Sequence, residues 1–143
     1  MNTILKTIAI ILLTFGCGFS SHAQSSEHDT HHAADVGGLT LNHGQRWLMD
    51  DHTRRAFAQM ESGFSKIELE SASEEQLSAA ATQLKQDLRF LIKGCTMTGA
   101  AHDQLHHYLV SYMPAVDRLA LSGDVEDAER VAELLAVFPR YFK

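Results

Sequence analysis

The chain has 143 residues, with 12 Lys and Arg against 18 Asp and Glu, a formal charge of −6 and 45% hydrophobic side chains. That acidic balance excludes a nucleic-acid binder built on phosphate contacts. Two prolines and nine glycines argue against disorder throughout, so the expectation is one ordinary domain with a single core.

Met1 to Ser20 carry one lysine, Lys6, ahead of an apolar run from Ile8 to Phe15. The run is too short for a permanent membrane span and reads as a secretory signal peptide. Ser21-His22-Ala23 place small residues three and one positions before a cut, so residues 1–23 would be cleaved and the protein exported to the periplasm. A lipid anchor on Cys17 is the alternative, although Phe15 and Thr14 stand where small and aliphatic residues are expected. Losing Lys6 with the leader leaves 11 basic against 18 acidic side chains, a formal charge of −7. It also leaves Cys95 as the only thiol, unable to form an internal disulfide. A lone exported thiol is buried, bound to a metal or paired between chains.

Residues 24–42 are polar and contain His28, His31 and His32 without apolar periodicity, which reads as a flexible arm able to collect divalent ions loosely. From residue 43 onward the pattern becomes helical. Thr53, Ala56, Phe57, Met60, Phe64 and Ile67 recur at three- and four-residue steps, predicting a first helix from about Asp50 to Glu70 with Trp47 at its entrance and Asp50 or Asp51 as cap. Ser73-Glu-Glu-Gln76 is a capping box opening a second helix, whose stripe is Leu77, Ala80, Ala81, Leu84, Leu88, Leu91, Ile92 and Cys95. Gly94 and Gly99 bracket the next turn.

A third helix from about Ala100 to Leu121 buries Leu105, Leu109, Tyr112, Met113, Val116 and Leu119, and Pro114 is expected to kink it. Asp124 caps a fourth, which buries Ala128, Val131, Leu134, Leu135, Phe138 and Phe142 and is bent or ended early by Pro139. Four such stripes joined by short turns can cover their apolar faces only against one another. The expected fold is therefore all-α, an up-down-up-down four-helix bundle over residues 43–143.

Metal-binding side chains crowd into Cys-Thr-Met-Thr-Gly-Ala-Ala-His-Asp-Gln-Leu-His-His, residues 95–107. Thiolate and thioether are soft donors and imidazole is borderline, so Cys95, Met97, His102 and His106 together would suit copper(I) first and zinc second. His102 and His106 are one helical turn apart, the spacing two imidazoles need to grip one ion, whereas His107 points about 100° away. Singly, each residue also has a packing explanation: Cys95 as a small hydrophobe, Met97 as a gap-filler, His106 bonded to a carbonyl. Met60 opposite a histidine of the third helix would be an axial pair for haem, a more distant option without a Cys-x-x-Cys-His attachment motif. Catalysis by Cys95 and His106 lacks an evident cleft or oxyanion donors, and the Glu-x-x-His pairs of a di-iron bundle are missing, so the chain reads as no enzyme.

The stretches GQRWLMDDHTRRAF, GCTMTGAAHDQLHHYL and the closing FPRYF resemble a largely uncharacterised family of small exported bacterial helical-bundle proteins encountered beside copper- and heavy-metal-handling proteins. The likeness spans about Leu41 to Phe142 and implies the helical fold and a periplasmic setting. Some members of that family carry Leu where Met97 stands and Asp where His102 stands, which puts more weight on Cys95 and His106. The combined expectation is an exported protein that binds copper(I) at the turn between the second and third helices and buffers it or hands it to a protein partner. The alternative is a metal-free structural or interaction bundle that meets a partner through its aromatic end or its third helix.

Overall fold

The computed structural model describes residues 36–143; the expected signal peptide and most of the expected arm lie outside them. These residues are all-helical, with α1 Asp51–Phe64, α2 Glu74–Gly94, α3 Gly99–Ser122 and α4 Val125–Tyr141, and a single 3-10 turn at Leu69–Ser71. No helix among them is long and apolar enough to cross a membrane. Thr96 near the end of α2 meets Asp50 at the start of α1, Lys85 of α2 pairs with Asp117 of α3 at 2.7 Å, and Tyr108 of α3 reaches Leu134 of α4. Each helix therefore packs against the next in sequence.

Asp50 is the N-cap of α1, accepting the Thr53 amide at 2.6 Å. The helix stops at Phe64, short of the expected Glu70, because Ser65 closes its last turn onto Glu61 and the Ile67 amide turns back to the Phe64 carbonyl. Gly63 and Ser65 are poor helix formers flanking that stop. Ile67 still packs on the core, from the turn. The capping box of α2 forms in both directions, with the Gln76 amide on Ser73 Oγ at 3.3 Å and the Ser73 amide on Gln76 Oε1 at 2.8 Å. Ile92 falls outside the buried stripe at 52% exposed, and Cys95 lies just beyond the helix as its extended C-cap, half-buried.

α3 runs unbroken through Pro114, and α4 passes Pro139 to reach Tyr141. Pro139 itself lies on the exposed side of α4, and the helix continues two residues past it. Met113 is exposed, while Tyr108 and Ala115, outside the expected stripe of α3, are buried. Asp124 occupies the N-cap of α4, yet its side chain makes no capping bond; Ser122 instead takes the Asp124 amide at 3.1 Å and donates to Asp127 at 2.7 Å.

The core is strongly aromatic where α1, α3 and α4 meet. Phe57 stacks on Phe138 with ring centroids 3.3 Å apart, Phe138 on Phe142 at 4.6 Å, and Tyr108 meets Phe57 and Phe138 edge-on. Residues 36–42, assigned to the arm by composition, pack onto this bundle: Val36 is buried, the Thr40 amide donates to Gln104, and the Thr40 carbonyl accepts the Trp47 indole. A tight reversal follows, with Asn42 and Gln45 exchanging backbone hydrogen bonds around His43 and Gly44 at φ 48 and 83. Two successive left-handed residues make this a mirror-image hairpin turn, which favours glycine and tolerates histidine.

Candidate functional site

The turn between α2 and α3, four residues from Cys95 to Thr98, is held by the start of α1. Asp50 Oδ2 accepts the Thr96 amide at 2.5 Å and its hydroxyl at 2.8 Å. Burial would raise the Asp50 carboxyl, but the amides of Thr53 and Thr96 and the Thr96 hydroxyl outweigh it and hold the group well below the usual carboxylate range. His52 grips the other side of the turn. Its Nε2 lies 2.9 Å from the Phe90 carbonyl, which can only accept, and its ring covers Gly94 so closely that a Cβ there would fall on the imidazole. These contacts fix the backbone that carries Cys95, Thr96 and Met97.

The first turns of α3 bring His102 and His106 together. Their rings stack with centroids 4.5 Å apart, and the two Nε2 atoms are 2.6 Å apart. His102 Nδ1 lies 2.5 Å from the Met97 carbonyl, so it carries a proton and donates. In the neutral ring that leaves a lone pair on His102 Nε2, and the short approach of His106 Nε2 requires one proton shared between the two nitrogens. An ion held at about 2.0–2.1 Å by each imidazole would need these nitrogens about 3.3–4.1 Å apart, so the rings must part by roughly an ångström to exchange proton for metal. His106 is exposed and has room to turn.

Cys95 shares a groove with this pair without joining it. Among the described residues no three His, Cys, Asp or Glu side chains form a group able to hold an ion. Met97 is buried in the core cluster at 8% exposed, and the group it presents to His102 is its backbone carbonyl. Of the four expected donors, two are thus in contact, a third lines the same wall, and the fourth orients an imidazole. The Cys95 thiol is free.

The groove runs between α2 and α3 and encloses about 550 Å³, with Cys95, His102 and His106 at one end, Leu105, Leu109 and Met113 along it, and Asp117 at the other. Ile92, Val110 and Met113 are left 52%, 74% and 38% exposed on its rim. A concave, mostly apolar site of this size with a few polar groups at one end has the proportions of a small-ligand pocket.

The remaining candidate histidines lie elsewhere. His107 sits beneath Gly38, where an added Cβ would come within 2.9 Å of Nδ1, and so belongs to the contact between the lead segment and α3. His28, His31 and His32 lie outside the described residues. Met60 is fully buried with its sulfur 3.9 Å from the Tyr112 hydroxyl, a core contact in place of the histidine that an axial haem pair requires. Sequence reasoning left the cap between Asp50 and Asp51, did not foresee the second role of Asp50, and missed His52 altogether. The one available signal was Gly94, a glycine ending a helix, since close approach of a neighbour is one reason for glycine there. Comparison with protein-family models, with curated proteins and with solved structures finds no match to this chain.

Proposed function

We propose that this chain is an exported metal-binding protein, an up-down-up-down four-helix bundle that follows a cleaved signal peptide and a histidine-containing arm. It takes one soft ion, copper(I) ahead of zinc, at the turn between α2 and α3. His102 and His106 are the primary ligands, Cys95 closes in as a third from the groove wall, and Met97 contributes chiefly through the carbonyl that orients His102. Buffering or hand-over of the ion to a protein partner, without catalysis, is the activity this chemistry serves. The resemblance to exported proteins found beside copper-handling proteins points the same way.

One observation supports the reading above all: His102 spends its Nδ1 proton on a backbone carbonyl and turns the Nε2 lone pair toward His106. A ring fixed in this way through its other nitrogen is the usual arrangement of metal-ligating histidine. The test is a copper(I) titration of the protein against a competing chelator, beside Cys95→Ser and His106→Gln. Tight one-to-one binding, weakened in both variants, is the expected result; a wild type unable to compete sinks the proposal.

A second reading is favoured by the exposed apolar rim. Ile92, Val110 and Met113 flank the groove, so a metal-free bundle would meet a partner through α2 and α3. In that case Cys95→Ser costs about 1–3 kcal/mol as a packing change and alters no metal binding, while Val110→Asp disrupts association and leaves the fold intact.

A further inference from the structure

Asp50 divides its carboxylate between two elements. Oδ1 accepts the Thr53 amide at 2.6 Å and starts α1, while Oδ2 accepts both the amide and the hydroxyl of Thr96 at 2.5 and 2.8 Å. Thr96 stands between Cys95 and Met97, so the peptide gripped by Oδ2 is the one that follows the cysteine. Cys95 itself is extended at φ −64, ψ 124, with its amide tied to the Leu91 carbonyl. The residue is thus held on both sides, by the end of α2 before it and by Asp50 after it, and its place on the groove wall follows from these two anchors. Hydrogen bonds to an ionised carboxylate are roughly twice as strong as neutral ones, which suits Asp50 to this task.

We infer that Asp50 is a positioning residue, holding the Cys95 thiol at the histidine end of the groove. Its consequence for metal rests on the reading proposed above; its consequence for the thiol does not. The link is local and directional. No hydrogen bond joins Asp50 to either histidine or to the sulfur, and its direct hold on the turn is through the amide and hydroxyl of Thr96. Loosening that peptide frees Cys95 to swing away from His102 and His106, whose own arrangement is fixed within α3 and by Met97.

The experiment is a double-mutant cycle with Asp50→Asn and Cys95→Ser, read by copper(I) affinity in chelator competition, with the rate of Cys95 alkylation by iodoacetamide measured in parallel. Val131→Ala, a core truncation in α4, serves as a destabilised control. Asp50→Asn is expected to weaken copper(I) binding about 10–100-fold, the usual effect of losing an outer-shell partner, and to leave the Cys95→Ser protein unchanged. Thr96→Val, which removes only the hydroxyl, should act in the same direction and less. Alkylation should change at least about threefold in Asp50→Asn and not in Val131→Ala. Equal losses in both cysteine backgrounds, or none, together with an unchanged alkylation rate, overturn the assignment. If the wild type fails to bind copper(I), the functional reading falls and the alkylation rates alone decide the role of Asp50.

Discussion

Asp50 and the two buried tyrosines give the clearest tests at the scale of single residues. The Asp50 carboxyl sits below its unfolded range, near 3.9, so its contribution is complete above about pH 4 and is lost as pH falls toward the depressed folded value. Urea unfolding at a series of pH values should show Asp50→Asn less stable by about 1–3 kcal/mol near neutrality, because the amide keeps the cap but loses the charged acceptor for Thr96, with the gap closing in acid. Tyr108 and Tyr112 have the opposite sign. Burial, followed by the neighbouring Tyr112 for the first and Asp87 for the second, raises both phenols well above the ordinary tyrosine range. Their contribution is present below about pH 10 and is lost as pH rises toward the folded values. In an ultraviolet titration their absorbance change should therefore arrive together with unfolding, as read by circular dichroism. The cap at Asp50 was legible in sequence because a helix start has a local signature. Its grip on Thr96 was not, since the two residues are 46 positions apart and a carboxylate carries no mark of its second partner. Asp87 was equally hidden: it lies buried at 5% exposed under hydrogen bonds from Gln59 and Gln83, satisfied by tertiary neighbours that periodicity does not name.

At the scale of elements, the four helices were legible because their stripes repeat over three turns or more, and their ends were legible where a cap is written into the chain. Ser73 with Gln76 is such a case, and Ser73→Ala is expected to lower stability by about 1 kcal/mol in thermal or denaturant melts. Misread boundaries arose where tertiary packing overrides the local pattern. Ile67 extends the stripe of α1 in sequence yet reaches the core from a turn, and Met113 fits the stripe of α3 yet lies on the open side of the groove. Likewise Pro139, expected to bend α4 or end it early, is followed by helix as far as Tyr141. Gly94 offers a reciprocal test of the clamp on the turn. Gly94→Ala would drive its methyl into the His52 ring and should destabilise by about 1–3 kcal/mol, as overpacking does; adding His52→Ala should recover part of that loss. A double mutant no better than the sum of its parts would show that the two positions do not meet.

For the molecule as a whole, the all-helical architecture and the cluster of donors were legible, and how the donors converge was not. Residues 95–107 showed where side chains able to ligate metal are concentrated, but whether a thiol and an imidazole meet depends on side-chain directions set by tertiary contacts, which no spacing rule contains. Phe138 and Phe142 were expected in the buried stripe of the fourth helix, and both are buried against Phe57 and Tyr108. Phe142→Ala should cost about 3–5 kcal/mol in chemical denaturation. Beyond packing, the backbone itself is joined there: the Trp47 amide donates to Tyr141, the Lys143 amide to Trp47 and the Met49 amide to Lys143. Segments entering and leaving a bundle ordinarily open many times for each opening of its core. Here the entry to α1 and the exit from α4 restrain each other, so neither can peel away alone. Their amides should exchange with solvent deuterium at rates set by global unfolding, and this seam should count among the last parts of the protein to open.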